Sequence, residues 1–328
     1  MKVLITREIP RTAYTILKKH TALEVEMRTG APMTEQELTT AVKDVDALIP
    51  VIPDKINEAV LSAADNLKVV AHYAVGYDNI DIASATKHGI YVSNTPGDLT
   101  ADVAEFTMTL MLSIGKKIIE ADYYTRGGHY NYWDPMVFLG AKLTGKTLGI
   151  IGMGRIGSHL AKIAKQGFGM QVIYFDNRRN DVVENEQGII YASLDELLEK
   201  SDFVSLHVPL LPTTHHLITE RELKKMKPTA FLINTSRGAV VEEDALYVAL
   251  KENWIEGAAI DVFEKEPQMY KGLRDLKNII LTPHIASATR EARIQMAKMA
   301  AENVVEVLIN KRPPLNLVNT DVLGKARI

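Results

Sequence analysis

Thr147-Leu148-Gly149-Ile150-Ile151-Gly152-Met153-Gly154-Arg155-Ile156-Gly157 is the stretch on which the reading of this chain turns. Leu148, Ile150 and Ile151 form a short apolar run of the kind that makes a buried parallel strand, and the glycines follow at once. Residues 156–166 then carry helical spacing. Strand, glycine turn and helix in that order is the context in which a GxGxxG pattern carries meaning. Gly152 suits the tight turn, Gly154 lets backbone approach a pyrophosphate, and Gly157 allows close helix–strand packing. Free amides at the helix start then face the phosphates. Asp176 ends the next apolar run, about 20 residues further on, where a carboxylate accepts hydrogen bonds from an adenosine ribose. This pattern points to dinucleotide binding, and the acid favours NAD over NADP because it repels a 2′-phosphate. Arg178 and Arg179 pull the other way, since a nearby arginine receives that phosphate; a solvated turn is the plainer account of them.

Outward from this point the chain alternates. Runs at 147–151, 171–175, 203–206, 230–234, 258–260 and 279–281 read as strands. Helical patterns at 156–166, 194–200, 220–225 and 242–251 separate most of them, and a further helix is expected at 290–309. Strand–helix alternation opening on a glycine turn is the signature of a doubly wound sheet. Upstream, runs at 3–5, 47–49, 69–71 and 90–92 read as a second set of parallel strands, with helical patterns at 34–43 and 56–64. Leu99, Val103, Phe106, Leu110, Ile114 and Ile118 recur at helical spacing and are expected to be core, with Asp98 or Thr100 as cap. Residues 123–140 lose periodicity and gather Gly, Asn, Tyr, Trp133 and Pro. They are expected to form a surface loop that packs over a neighbouring subunit or domain.

Composition narrows the classes. The 328 residues fit about two domains. Lys+Arg number 38 against 41 Asp+Glu, a net charge of −3, so no basic footprint for nucleic acid or an anionic membrane exists. There are no cysteines, which excludes disulfides, thiolate nucleophiles and Cys-based zinc sites and suits a reducing compartment. The opening apolar run stops at Arg7-Glu8, too short for a signal segment, so a soluble cytoplasmic protein is expected. No metal is expected either. His72, His129 and His207 stand alone, and the pair His215-His216 has no third ligand within sight of the sequence.

Three polar residues follow three consecutive strands. Arg237 comes after 231–234, Glu266 after 259–261 and His284 after 279–281. In an open parallel sheet ligands bind outside the carboxyl ends of strands. Reduction of a 2-oxo acid needs this set: a guanidinium fork for a carboxylate, an imidazole to donate a proton to the forming alkoxide, and an acid beside it that favours the protonated ring.

At these residues the chain resembles the D-isomer-specific 2-hydroxyacid dehydrogenases, and within them the glyoxylate/hydroxypyruvate reductases. The resemblance runs through Gly76-Tyr77-Asp78-Asn79-Ile80-Asp81, Asn94-Thr95-Pro96-Gly97, the 152–157 fingerprint and His207-Val208-Pro209. It continues through Asn234-Thr235-Ser236-Arg237-Gly238, Asp261-Val262-Phe263-Glu264-Lys265-Glu266-Pro267 and Thr282-Pro283-His284-Ile285-Ala286-Ser287. It implies an α/β chain of two Rossmann-like doubly wound domains with an interdomain cleft: a substrate domain of residues 1–98 and 288–328, and an NAD-binding domain of 99–287. It implies Arg237 as the carboxylate clamp, Glu266 as the acid that orients histidine, and His284 as acid/base. Backbone amides at Val75 and Gly76 are the implied further carboxylate contacts. Thr100, Arg155, Ile156, Val208, Pro209, Thr214, Thr235 and Asp261 fall at positions of cofactor contacts, and Asp261 alternatively caps its strand end. Substrate size is expected to be set near residues 48–52 and 73–76, and the family's usual state implies a homodimer.

Departures sharpen the reading. NADP-using relatives usually lack an acid at the position of Asp176, so the chain sides with the NAD users. Formate dehydrogenases carry glutamine where Pro283 stands. A chain ending at Ile328 leaves no room for the regulatory domain of many phosphoglycerate dehydrogenases. Glyoxylate or hydroxypyruvate reduction is the expected activity. A D-lactate or other D-2-hydroxyacid dehydrogenase is the alternative within enzymes, and an NAD(H)-sensing corepressor-like protein the alternative outside them.

Overall fold

In the computed structural model, which describes residues 1–96 and 99–327, the chain divides into two units. One comprises Met1–Leu99 with Ala288–Ile328, the other Thr100–Ser287. The candidate cap Asp98 lies outside the described residues.

The first unit opens with β1 (Lys2–Ile5), α1 (Thr12–Lys18), β2 (Glu24–Met27), α2 (Glu35–Ala41) and β3 (Ala47–Ile49). It continues with α3 (Glu58–Ser62), β4 (Val69–Ala71), α4 (Ile82–Lys87) and β5 (Tyr91–Ser93). The sheet is parallel with order β2-β1-β3-β4-β5, a doubly wound arrangement with its switch point between β1 and β3. β3, β4 and β5 bury every residue, which is why they read as continuous apolar runs. β2 escaped the sequence reading because it is an edge strand whose acids alternate with Val25 and Met27.

The second unit begins with α5 (Leu99–Gly115), α6 (Ile118–Arg126), β6 (Thr147–Ile151), α7 (Arg155–Phe168) and β7 (Gln171–Phe175). Next come α8 (Asp181–Gln187), β8 (Ile190–Tyr191), α9 (Leu194–Lys200), β9 (Phe203–Leu206) and α10 (Glu220–Lys225). β10 (Phe231–Asn234), α11 (Glu243–Lys251), β11 (Gly257–Ile260) and β12 (Ile279–Leu281) complete it. The parallel order β12-β11-β10-β9-β6-β7-β8 reverses between β6 and β9, so the glycine turn after β6 lies at the switch point.

The last helix, α12 (Arg290–Leu308), belongs to the first unit. Its Met296, Ala297, Ala300, Ala301, Val304 and Leu308 recur at helical spacing and are buried in one core with Val3, Ile5, Ala13 and Leu17. The small alanines let it lie close against α1 and β4.

Two expectations are corrected. The apolar stripe does not run through Ile118, which is 52% exposed, because the helix stops at Gly115 and Lys117 turns left-handed (φ 54°). Residues 123–126 are not loop but the end of α6, none of whose residues is buried. No described helix is long and apolar enough to cross a membrane.

Candidate active site

At the switch point the fingerprint glycines do what their spacing required. Gly152 has φ +98°, and a Cβ there would lie 2.8 Å from the His207 backbone after β9. A Cβ on Gly157 would meet the Gly152 carbonyl oxygen at 2.2 Å, so only glycine lets α7 approach β6. A Cβ on Gly154 would meet nothing within 4 Å, so that side of the turn opens outward, as a pyrophosphate needs. Gly154 starts α7 without a side-chain cap, leaving the amides of Arg155 and Ile156 for an anion. These features fit a dinucleotide. Val208 and Pro209 follow β9 on the other side of the switch point.

Asp176 follows β7 and its Oδ2 accepts the Met153 N–H at 2.8 Å, tying the acid to the glycine turn. Arg179 is turned to Glu184, with Nε 3.0 Å from Oε1, and lies over the Tyr191 ring at 5.5 Å. The Tyr174 hydroxyl donates to the same carboxylate at 2.6 Å. Hydrogen bonds from Arg179 and then Tyr174 pull Glu184 down to about 2, so this pair is charged throughout the working range.

Arg237, Glu266 and His284 come from the loops after β10, β11 and β12. Asn234 shapes the first: its Oδ1 accepts from the Ser236 N–H (3.0 Å) and hydroxyl (2.8 Å), and its Nδ2 donates to the Arg237 carbonyl at 2.9 Å. Arg237 is half-buried, with Nη1 donating to the Ser236 carbonyl at 2.8 Å. In the second loop, Glu266 accepts the Phe263 N–H on Oε1 at 3.0 Å. Its Oε2 lies 2.8 Å from Nδ1 of His284. Burial works to raise the Glu266 carboxyl, but the hydrogen bond and charge of His284, the Phe263 amide and the Arg237 charge together hold it below the ordinary value. Arg237 and His284 therefore both act on the Glu266 carboxylate, which holds the imidazole by Nδ1.

The third loop shows what Asp261 does. The side chain is fully buried, and its carboxylate accepts from the Thr282 hydroxyl (2.6 Å), the Ile285 N–H (2.9 Å) and the Ala286 N–H (2.8 Å). His284 sits between these donors with φ 55°, a left-handed conformation that a non-glycine residue holds only when its surroundings impose it. Of the two roles open to Asp261 from sequence, shaping the strand end is the one this geometry displays.

Residues 108–286 match the family described as D-isomer specific 2-hydroxyacid dehydrogenase, NAD binding domain. A glyoxylate reductase of Thermococcus litoralis is 50% identical over 326 residues, covering 98% of each chain. The chain belongs to the D-isomer specific 2-hydroxyacid dehydrogenase family. It is accordingly an oxidoreductase acting on a CH–OH group with a nicotinamide cofactor. A glyoxylate reductase of Korarchaeum cryptofilum is 48% identical over 324 residues, covering 98% of this chain and 97% of its own. Among solved structures, the TT0316 protein of Thermus thermophilus is 41% identical, with TM-score 0.91 over 97% of this chain and all of its own (100%). An NADPH-dependent glyoxylate/hydroxypyruvate reductase from Sinorhizobium meliloti, solved with NADP and malonate, is 28% identical with TM-score 0.84, covering 98% and 97%.

The other expected cofactor positions of this family member are shaped by their own loops. Thr214 accepts from the Leu211 N–H (2.8 Å) and donates to the Pro209 carbonyl (2.6 Å), closing the loop after β9. Thr107 gives its hydroxyl proton to the Val103 carbonyl at 2.7 Å, so the 2.9 Å contact to Thr235 has Thr235 as donor. Thr100 lies inside the first turn of α5 rather than ahead of it. In the first unit, Val75 and Gly76 follow β4, and among the described residues their N–H groups donate to no acceptor.

Sequence missed the third partner of His215-His216: Glu264 brings a carboxylate, and the three ligand atoms lie within 4.8 Å of one another. The two rings stack 4.0 Å apart, and His216 Nε2 is buried 3.3 Å from Glu264 Oε1 without making a hydrogen bond among the described residues.

Burial pushes the His207 imidazole down to about 4, and Ser205 Oγ meets its Nε2 at 2.8 Å. An unfolded chain takes up this proton below its ordinary value of 6.5, whereas the folded chain refuses it until about 4. His207 thus withdraws stability as pH falls through that window. The drop in unfolding midpoint between about pH 7 and about pH 5 should be smaller in His207→Gln than in the parent. Equal drops in thermal scans would refute this.

Proposed function

We propose that this family member reduces glyoxylate or hydroxypyruvate with NADH. The observation that carries the reading is the 2.8 Å pair of Glu266 and His284 on adjacent loops at the carboxyl ends of the sheet, with Arg237 acting on the same carboxylate. The relatives named glyoxylate reductase, at about half identity over nearly the whole chain, favour this substrate class over D-lactate and over a purely binding role.

Arg237 offers a planar fork to the substrate carboxylate, and the Val75 and Gly76 amides are the proposed further donors. When bound, the nicotinamide supplies the hydride that reduces the neighbouring carbonyl carbon. His284, protonated beside Glu266, gives its Nε2 proton to the carbonyl oxygen as negative charge develops there. Glu266 holds the ring by Nδ1 and stabilises its cationic form until that transfer. The 152–157 turn, with Arg155 and Ile156, is the proposed pyrophosphate seat. Thr100, Val208, Pro209, Thr214 and Thr235 are proposed to line the remainder, with Asp261 supporting it from beneath. Residues 1–98 with 288–328 are the proposed substrate domain and 99–287 the NAD domain.

A spectrophotometric assay with glyoxylate, hydroxypyruvate, pyruvate and phenylpyruvate tests the substrate. Oxidation of NADH fastest with glyoxylate and hydroxypyruvate is expected, and no turnover with any of the four would end the enzyme reading. NADH is expected to outperform NADPH, because Asp176 repels a 2′-phosphate and Arg179 is engaged by Glu184. Asp176→Ala should improve the NADPH:NADH ratio of kcat/KM by about 10-fold or more, as removal of a like charge at close range does. An unchanged ratio would take Asp176 out of cofactor selection.

The protein is further proposed to be a cytoplasmic homodimer, the compartment supported by the absence of cysteine. Support for the dimer is the apolar surface of α6 and the loop after it. Tyr123, Tyr132, Trp133, Met136 and Leu139 are each more than 60% exposed, more than a monomer leaves in one segment. Light scattering should give twice the chain mass, and Trp133→Ser with Met136→Ser should halve it. A monomeric parent would refute this.

A further inference from the structure

Glu243 opens α11 and is 7% exposed, yet nothing in the chemistry above uses its carboxylate. A buried carboxylate is costly unless its oxygens are satisfied. Here each oxygen has one task. Oε1 accepts the Glu264 N–H at 2.6 Å and Oε2 the Tyr270 N–H at 2.8 Å. The two amides bracket the loop that carries Glu266. Inside the bracket the Gln268 N–H donates to the Lys265 carbonyl at 2.9 Å, closing the loop on itself. The other side of the loop is pressed onto the turn bearing Arg237. A Cβ on Gly238 would fall 1.9 Å from the Phe263 carbonyl carbon and 2.3 Å from the Glu264 nitrogen, so the two backbones touch with no side chain between. The Glu264 side chain meanwhile lies 3.3 Å from His216 Nε2.

We propose that Glu243 is a positioning residue for the Glu266–His284 pair. It draws the Glu264 amide against Gly238, fixing Glu266 relative to Arg237 on one side and to His284 on the other. The Phe263 N–H that orients Glu266 belongs to the same peptide run, so loss of the bracket frees both ends of the Glu266 side chain's support. This rests on the reading of Glu266 and His284 given under the proposed function.

The test is Glu243→Gln in the full chain. An amide keeps one acceptor oxygen and sets an NH2 group against the other backbone N–H, so one bracket bond is lost. The expected result is a fall of about 10-fold in kcat with KM for NADH and glyoxylate within about twofold. The pH above which reduction fails should also move lower, because the imidazolium has lost its fixed carboxylate neighbour. In a Glu266→Gln background the same substitution should add little, since both act through one group. A lower unfolding temperature with unchanged kcat and pH profile would make Glu243 merely structural and overturn the proposal. So would rate losses that multiply in the double variant. If Glu266→Gln alone changes neither rate nor profile, the underlying dyad reading fails instead. Should Glu243→Gln not fold, Glu243→Asp keeps the charge but is too short to span both amides, and the same measurements decide.

Discussion

Replacing His284 by alanine is expected to lower the reduction rate by about 10²–10⁴-fold, the usual contribution of a positioned acid or base, while NADH still binds. The side chain is held by Glu266 at 2.8 Å, and its backbone is set by Asp261, so removal of the ring leaves the turn's own hydrogen bonds in place. Binding of NADH, followed by fluorescence, separates loss of chemistry from loss of the site. A variant that keeps its rate would show that the proton comes from elsewhere. Glu266→Gln should cost less. It keeps a hydrogen-bonding group but removes the charge that favours imidazolium, so reduction should fall off at a lower pH than in the parent. Stability carries the same coupling. Because the folded Glu266 carboxyl lies below its ordinary value, it favours the folded state above the carboxylate range, and that contribution is lost as pH falls through it. The glutamine variant should lack this acid-side component.

The second large effect belongs to Arg237. Arg237→Lys should raise the KM for the 2-oxo acid and lower kcat/KM by about 10- to 100-fold, the range set by losing a charge-assisted hydrogen bond. A lysine keeps the charge but offers a point donor, not two parallel N–H groups in a plane. The KM for NADH should hold, because the guanidinium is placed on the β10 loop rather than on the glycine turn. Monocarboxylic 2-oxo acids and their esters sharpen the test: the parent should discriminate strongly for the free acid, and the lysine variant weakly. An unchanged KM with full discrimination would remove the carboxylate clamp.

Much of this molecule was open to reading from residues alone. Strands at 47–49, 69–71, 147–151 and 203–206 are buried on both faces or nearly so, and burial writes itself as uninterrupted apolar runs. The strand at 171–175 alternates in burial and that at 279–281 is half-buried, yet both carry apolar runs that could be read. β8, two residues long at the sheet edge, and β2, with acids alternating outward, left no such trace. Helices α1, α4 and α8, six or seven residues each, were not read from the sequence, although the equally short α9 and α10 were. The break at Lys117 was invisible because a left-handed lysine has no residue signature as glycine has.

The sequence by itself determined the chemistry on offer: glycines at 152, 154 and 157 with an acid at 176, and a guanidinium, a carboxylate and an imidazole each following a strand. Those depend on residue type and local spacing, which the chain order contains. Only tertiary structure decided which groups meet. Asp261 reaches the His284 turn from more than twenty residues away, Glu243 reaches two amides of the Glu266 loop, and Glu264 finds His216. The physical reason is that a hydrogen bond is made in space at about 3 Å, and separation along the chain says nothing about that distance until the sheet has brought neighbouring strand ends together.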